Sequence, residues 1–397
     1  MTGDRARARA GRNLPLAAGI VFANFILLGI PIGMLGVAWP SIRRTFALPQ
    51  DALGVLLLVH TIGSVAASFV SGRFQAILGR ATYLAVSSAV MGLGFVWVAV
   101  TPTWQAMLVA LFVAGIGFGG LNAGLNTYAA THHGSRLMNW LHASFAGGAT
   151  LSPIALTALL VAGHSWRWGY AIAGGLQIVF TGVFLLTRSH WRDGTHEQDR
   201  AARAASKAVR WRDTLGLPLV WLGIAVFLMS TSVQAAAGQW NYTFFTEARG
   251  VEVVTAGAWS GYYWAAIMLG RILFGFVGER IALGALLRWT MVVLVAGAVL
   301  MWSNLLNEVS FFGLALMGFA VAPQYPLLVL VLPRQLGASH APNAIGFQIA
   351  AGGLGAAIGP WLAGMLVERA HLEVIGPFLL LNAVLLLALY EVSRRLS

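Results

Sequence analysis

The chain contains twelve apolar runs, each long enough to cross a bilayer as a helix, and this pattern limits its fold more than any other feature. The hydrocarbon core of a membrane is about 30 Å thick, so a helix that rises about 1.5 Å per residue needs about 20 residues to span it. Unpaired backbone groups cannot face lipid, and the runs lack the alternation of a membrane β-barrel. We therefore predict an all-α membrane protein with twelve transmembrane helices, near 15–40, 51–73, 81–101, 104–131, 137–162, 167–187, 216–245, 254–278, 282–304, 309–333, 341–367 and 373–391.

Composition excludes a soluble protein. Hydrophobic residues make up 58% of the 397 residues and charged residues only 10%, too few to cover a soluble surface of this size. The net charge of +12 comes from basic residues placed between the apolar runs, which argues against nucleic acid as a partner. The chain has no cysteine, so disulfides, thiolate nucleophiles and cysteine metal sites are excluded.

The distribution of basic residues predicts the orientation. With twelve spans both termini lie on one side of the membrane, and positive charge favours the cytoplasmic side. Of the 25 Lys and Arg residues, five fall on the opposite side between the predicted spans: Arg43, Arg44, Arg167, Arg249 and Arg369. We therefore predict a multi-pass protein of the cell inner membrane, surrounded by the lipid bilayer and with both termini in the cytoplasm. We also expect it to be a monomer.

The longest hydrophilic stretch, residues 188–215, divides the spans six and six. Its arginines favour a solvated linker close to the anionic leaflet, and a regulatory or partner-binding role is the alternative. We predict that this linker joins a cytoplasmic tail at 1–14 and a six-helix bundle at 15–187 to a second six-helix bundle at 216–391 and a tail at 392–397.

The two halves repeat each other at an offset near 203 residues. Two such bundles are pseudo-symmetric and can rock about a site near the midplane, which suits alternating access. The matching positions are Gly72 with Gly275, Gly115 and Asn122 with Gly318 and Tyr325, and Gly147 to Pro153 with Gly352 to Pro360.

A short loop resembles a signature of the major facilitator superfamily. The segment 72–80, GRFQAILGR, resembles the pattern glycine-x-x-x-aspartate-arginine-x-glycine-arginine: Gly72, Gly79 and Arg80 match, but Ala76 stands where the aspartate belongs. The second copy of the loop, near 275–280, keeps an acid. In the superfamily this loop pairs charges that hold one conformation closed. The resemblance implies a conformational latch made of Gly72, Arg80, Glu279 and Arg280.

Longer stretches resemble the fucose–galactose–glucose permease branch of that superfamily. They are LNAGLNTYAA at 121–130, MNWLHASFAGGATLSP at 138–153, AGQWNYTFFTEARG at 237–250, and APQYP with NAIGFQ within 322–348. The resemblance implies import of a monosaccharide or a small polyol, usually with proton symport. Amides replace family carboxylates here, at Gln234 and in spans one and four, and this weakens the expectation of proton coupling.

Polar residues inside predicted spans are the candidate solute ligands, because a buried polar group costs several kcal/mol without a partner. Asn122 and Asn126 lie four residues apart on one face, at a depth that matches His142. They form either a polar cavity wall or a set of amides that fastens two helices together.

The seventh span places Gln234 and Asn241 on one face, with Trp240 as an aromatic platform or an interfacial belt residue. His60, near the centre of the second span, is either a structural histidine or a proton carrier.

The later spans supply the opposite wall of the predicted site, at Gln324, Tyr325 and Gln348. Pro323 and Pro326 flank the first pair and predict a broken helix with free carbonyl groups. Arg271 is expected to snorkel to the membrane surface or to pair with Glu279.

Together these features predict a secondary active or facilitative transporter of a small uncharged polar solute, most simply a monosaccharide or polyol, with proton coupling left open. Efflux of drugs or metabolites by the same fold is the alternative. No paired carboxylates or metal-spaced histidines suggest an enzyme, and no cofactor or metal is predicted.

Overall fold

Helix forms at each of the twelve predicted positions, and the part of the chain that the structure describes contains no strand. The computed structural model describes residues 2–132, 135–191, 209–277, 281–303, 305–337 and 339–396. The helices are α1 Thr2–Phe46, α2 Ala52–Leu78, α3 Arg80–Val100, α4 Trp104–His132, α5 Ser135–Val161, α6 Arg167–Leu186, α7 Pro218–Thr243, α8 Val253–Val277, α9 Leu283–Trp302, α10 Asn307–Val321, α11 Gln324–Leu336, α12 Ala341–Arg369 and α13 Ile375–Arg395.

Eleven segments of the described chain are long and apolar enough to cross a membrane. Helix α8 has 25 residues but lies outside that set. It carries Arg271, which lowers the hydropathy of its second half. The predicted all-α membrane fold is confirmed.

The structure changes the predicted boundaries at the N-terminal tail and at the linker. Helix α1 begins at Thr2, so the predicted tail at 1–14 continues the first helix, as its content of alanine and arginine favours. The described ends of the predicted linker form short helices, Arg188–Trp191 and Trp211–Leu215.

The predicted break in the tenth span is confirmed. Helices α10 and α11 form one membrane-length segment, Asn307–Leu336, which is interrupted at Ala322 and Pro323. Proline has no backbone N–H and its ring clashes with the preceding turn, so an uninterrupted helix is unfavourable there. The break lies near the middle of the span, next to Gln324 and Tyr325.

Helix packing repeats between the halves. Helix α1 packs on α5 as α7 packs on α12, α2 on α4 as α8 on α10, and α3 on α6 as α9 on α13. Glycines allow the equivalent pairs to approach closely: a Cβ atom at Gly148 would lie 1.9 Å from the Ile26 carbonyl oxygen, and one at Gly355 would lie 2.2 Å from that of Leu228. The pseudo-symmetry predicted from the sequence is therefore present in the packing.

The two bundles meet mainly through three helix pairs: α5 with α8, α2 with α12, and α1 with α7. At the end of the molecule away from the termini, Arg43 forms an ion pair with Glu247 at 3.2 Å. At the same end, a Glu368 carboxylate oxygen accepts a hydrogen bond from the Gln50 backbone N–H at 2.9 Å. We call these four residues the far-end closure, because each bond joins one bundle to the other.

Close packing supports the far-end closure. Gly54 at the start of α2 lies against Trp361 of α12, so closely that a Cβ atom at Gly54 would be 2.1 Å from the Trp361 Cβ. The Gln239 side chain of α7 donates to the Ile32 carbonyl of α1 at 3.1 Å. In the far half of the protein, α1 and α7 are thus joined by a hydrogen bond, and α2 and α12 are in close steric contact.

Candidate functional site

Side chains from both bundles meet at one crossing point near the middle of the protein. The Arg271 Nη1 group of α8 donates to the His142 carbonyl of α5 at 2.8 Å. The His142 ring lies 6.2 Å from the Tyr325 ring of α11 and packs edge-on against Phe25 of α1 at 5.8 Å. Tyr325 also packs against Phe227 of α7, with ring centroids 4.9 Å apart. Five helices therefore contribute to the crossing point.

Burial is uneven within this cluster. Phe25 and Phe227 are almost completely buried, whereas His142 and Tyr325 are half-buried. The sequence predicted both of the half-buried residues as solute ligands. Rings with a polar atom and a partly open surface suit a sugar, whose hydroxyl groups need hydrogen bonds and whose ring needs an apolar face.

Gln234 lies at the middle of α7 and has a free amide. Its side chain is half-buried and forms no hydrogen bond with the described residues. Its backbone carbonyl accepts a hydrogen bond from the Tyr263 hydroxyl at 2.8 Å, which ties this point of α7 to α8. The backbone is held, and the amide keeps both its donor and its acceptor for another partner.

Gln324 and Gln348 are buried and only half satisfied. The Gln324 Oε1 atom accepts from the Ser230 hydroxyl at 2.8 Å, but its Nε2 atom has no partner. The Gln348 Nε2 atom donates to the Leu328 carbonyl at 3.1 Å, but its Oε1 atom has none. An unsatisfied buried polar group costs about 1–3 kcal/mol, so each of these atoms is suited to a ligand or a water molecule.

Asn122 and Asn126 lie on one face of α4, as predicted, and bond to each other. The Asn126 Nδ2 group donates to the Asn122 side-chain oxygen at 2.9 Å and to its carbonyl at 2.8 Å. Both residues are half-buried. Within the described residues, no hydrogen bond joins either amide to His142. The three residues predicted to form one polar wall are therefore not bonded to one another as a set.

Trp240 and Asn241 occupy packing positions instead of open ones. Both are fully buried, and the Trp240 indole donates to the Pro360 carbonyl of α12 at 2.9 Å. The Asn241 amide donates to two carbonyls of α7 and accepts from the Ser260 hydroxyl of α8. Neither side chain keeps a free polar group, so we leave both out of the proposed site.

His60 packs within the first bundle. Its ring lies edge-on to Phe118 of α4 at 5.3 Å, and its carbonyl faces Gly115, where a Cβ atom would come within 2.2 Å. The structure does not bring His60 to the cluster around His142. Its side chain remains half-buried.

The predicted latch is only partly described. Glu279 and Arg280 lie outside the described residues, and Gly72 is an exposed position of α2. Arg80 stacks over the Tyr128 ring of α4, 5.5 Å from its centroid, within the first bundle. The latch remains a prediction. The bonds between the bundles that the structure describes are those of the far-end closure, the Gln239–Ile32 bond and the Arg271–His142 bond.

Two buried polar groups, Arg271 and Asn24, were not predicted from the sequence as site residues. Arg271 was expected to reach the membrane surface or Glu279, but it is only 8% exposed and is bonded to His142. Its distance of six residues from the end of α8, about 9 Å at 1.5 Å per residue, was the signal for a deeper position. Asn24 of α1 is fully buried, and neither atom of its amide has a hydrogen-bond partner.

Two pseudo-symmetric bundles of membrane helices that enclose unsatisfied polar side chains define a helical membrane transporter. The sequence pattern of the Major Facilitator Superfamily matches residues 21–306, and the chain belongs to that superfamily. Proteins of this superfamily are transporters, not enzymes. The more specific likeness to fucose permeases stays a prediction.

Known proteins resemble the chain along most of its length. A TsgA protein homologue of Erwinia tasmaniensis is 22% identical over 364 residues, 88% of each protein. A bacterial homologue of the human lysosomal transporter Spinster, solved in an inward-facing and occupied conformation, has a TM-score of 0.74 at 13% identity and covers 96% of this chain and 97% of its own. A D-xylose–proton symporter has a TM-score of 0.70 at 14% identity, with coverage of 94% and 96%. At these identities the solved structures show the fold alone.

Proposed function

We propose that this protein is an alternating-access carrier for a small polyhydroxylated solute such as a monosaccharide or polyol. The observation that carries the proposal is the set of open hydrogen-bonding groups from both bundles near the middle of the spans. Gln234 has a free amide, Gln324 and Gln348 each have one unpartnered atom, and His142 and Tyr325 are half-buried between the bundles.

These groups match a sugar better than an apolar compound. Amides provide donors and acceptors in equal number, as hydroxyl groups require. The half-buried Tyr325 ring, packed on Phe227, provides an apolar surface beside them. A binding site that hydrogen-bonds hydroxyl groups discriminates strongly against analogues that lack them, since the buried amides would then be left unpaired.

The far-end closure supports alternating access. It joins the bundles at one end, so a solute reaches a site between them from the other end, where the termini lie. Basic loops favour the cytoplasm for that side, in the cell inner membrane. Rocking of one bundle against the other would break the Arg43–Glu247 and Gln50–Glu368 bonds and open the far side. Half-exposed surface ion pairs contribute only about 0–1 kcal/mol each, which suits a closure that must open in every cycle.

Proton coupling would need a carrier other than a midplane carboxylate. In the described chain the acids lie at helix ends or in loops, and Gln234 occupies the position of the family glutamate. We therefore propose transport that depends weakly on pH.

Efflux of an apolar compound is the second candidate. A lateral groove of about 500 Å³ lies between α1, α5 and α8, and Phe22, Ile26, Trp140 and Met268 are among its almost entirely apolar lining residues. An apolar or amphipathic compound would suit this groove, whereas a sugar would not.

Transport by purified protein in proteoliposomes separates the two candidates. Counterflow of labelled D-glucose, L-fucose or D-glucitol, against a panel of lipophilic cations, supports the sugar carrier if at least one polyhydroxylated compound moves and the cations do not. Movement of the cations alone would overturn the proposal in favour of efflux. Variants Phe22→Ser and Gln234→Ala check each result, because the first changes only the groove and the second only the central cluster.

A further inference from the structure

Arg271 is a buried cation with too few partners. It lies on α8 with 8% of its surface exposed, and its Nη1 atom donates to the His142 carbonyl at 2.8 Å. Its Nε atom is buried with no hydrogen-bond partner, and its Nη2 atom forms no hydrogen bond with the described residues. One carbonyl therefore holds one corner of the guanidinium, and the edge formed by Nε and Nη2 is unused.

No carboxylate balances this charge within the described chain. The described ion pairs use other arginines, at positions 43, 249, 288 and 394, all near helix ends. A charge inside a membrane span is costly, and such residues commonly mark an ion or substrate site. The Tyr263 and Tyr325 side chains lie close enough to interact electrostatically with the guanidinium, but phenols carry no compensating charge at neutral pH.

The position of Arg271 connects it to the proposed solute site. The carbonyl it binds belongs to His142, whose ring packs against Tyr325. Tyr263, its neighbour on α8, donates to the carbonyl of Gln234. A solute held by the Gln234 amide and the Tyr325 ring would therefore lie beside the guanidinium.

We propose that Arg271 binds a carboxylate of the transported solute, and that the solute is a sugar acid, a polyhydroxylated monocarboxylate. This inference rests on the proposed function and narrows its substrate class. The edge of a guanidinium forms two parallel N–H···O bonds to a carboxylate, and the charge of one carboxylate matches the single arginine. The hydroxyl groups of the solute would take the free atoms of Gln234, Gln324 and Gln348.

A purely structural role for Arg271 is the competing explanation. Its bond to the His142 carbonyl joins α8 to α5 across the two bundles. Loss of that bond would weaken folding, or the binding of any solute, without regard to charge. A comparison of acidic ligands with neutral ligands of similar shape separates the two roles.

The test measures binding of two acid and neutral pairs to the purified full-length protein by isothermal titration calorimetry: D-gluconate against D-glucitol, and D-glucuronate against D-glucose. In the wild type at least one acid binds tenfold or more tightly than its neutral counterpart. Arg271→Gln weakens that acid at least tenfold and changes binding of the neutral compound less than twofold. Arg271→Lys, which keeps the charge but not the planar edge, restores part of the loss. Arg288→Gln, an exposed arginine on α9, leaves all four affinities unchanged.

Several outcomes would overturn the inference. Equal weakening of acid and neutral ligands in Arg271→Gln assigns the residue a structural role. Binding of a neutral compound without its acid refutes the inference and leaves the sugar carrier standing, whereas binding of none of the four ligands refutes both. If Arg271→Gln elutes as an aggregate in size-exclusion chromatography, the wild-type preference for acids and the partial recovery in Arg271→Lys decide the question.

Discussion

Some amide side chains within the spans are fully hydrogen-bonded, and others have no partner in the described chain. Asn241 uses both atoms of its amide in bonds to α7 and to Ser260, as a helix fastener does. Gln234, seven residues earlier on the same helix, has no hydrogen-bond partner for its amide among the described residues. The same chemical group therefore serves packing at one position and remains open at the other, and the two make a matched pair for mutagenesis.

Gln234→Ala is expected to weaken solute binding by about 1 kcal/mol, close to fivefold, because one net hydrogen bond to the solute is lost. Its thermal midpoint should change little, since no bond within the protein is broken. Asn241→Ala should show the reverse, a lower thermal midpoint with unchanged affinity, because it leaves the Ser260 hydroxyl without its side-chain partner. Calorimetric binding and thermal unfolding of both variants test this. Equal affinity of Gln234→Ala and wild type would remove Gln234 from the site.

Gln234→Glu addresses coupling at the same position. It places a titratable carboxyl near the middle of α7, in a region where the described wild-type chain has no acid. Uptake into proteoliposomes should then depend more steeply on external pH than in the wild type, since the protonation state of the site would change with pH. A pH profile that coincides with that of the wild type would show that this position does not govern coupling.

At the scale of the helices, glycine decides where two helices approach closely. Gly54 lies under Trp361 at the start of α2, and Gly364 and Glu368 continue the same face of α12. This face holds the far end of the two bundles together. A glycine here is needed for contact between helices, whereas Gly175 of α6 has open space around it.

Gly54→Ala should loosen the far end, because its Cβ would lie 2.1 Å from the Trp361 Cβ, a distance that forces the helices apart. We expect thermal unfolding at a lower temperature and faster proteolysis of the loop around 47–51. Gly175→Ala, the control, should keep the wild-type midpoint or raise it slightly, since alanine favours helix over glycine by about 1 kcal/mol. Identical behaviour of the two variants would contradict the packing described for α2 and α12.

The helices themselves were predictable, because length and hydropathy depend only on local sequence. The break at Pro323 was predictable for the same reason, since proline acts on its own turn. The roles of Trp240 and Arg271 were not. Whether an indole faces a solute or a Pro360 carbonyl, and whether an arginine reaches the surface or a carbonyl of the other bundle, depends on helix rotation and on packing between distant segments.

The whole molecule is two bundles closed at one end. Equivalent helices pair within each bundle, and buried polar atoms without a hydrogen-bond partner in the described chain occur in both halves, at Asn24 in the first and at Gln324 and Gln348 in the second. A carrier needs a site that is reached from one side at a time, and the far-end closure formed by Arg43, Glu247, Gln50 and Glu368 supplies one barrier. Alternating access thus gives a reason both for the two similar bundles and for amide atoms that have no partner among the described residues.

Thiol labelling at Gln234 is the sharpest test of a water-accessible site between the bundles, since the chain has no cysteine to interfere. Gln234→Cys is treated with a membrane-impermeant maleimide in inside-out and in right-side-out vesicles, with Leu269→Cys, 58% exposed on the outer surface of α8, as the lipid-facing control. We expect rapid labelling of Gln234→Cys from the side of the termini, much slower labelling from the far side, and little labelling of the control from either. A Gln234→Cys protein as unreactive as the control from both sides would contradict a water-accessible site between the bundles.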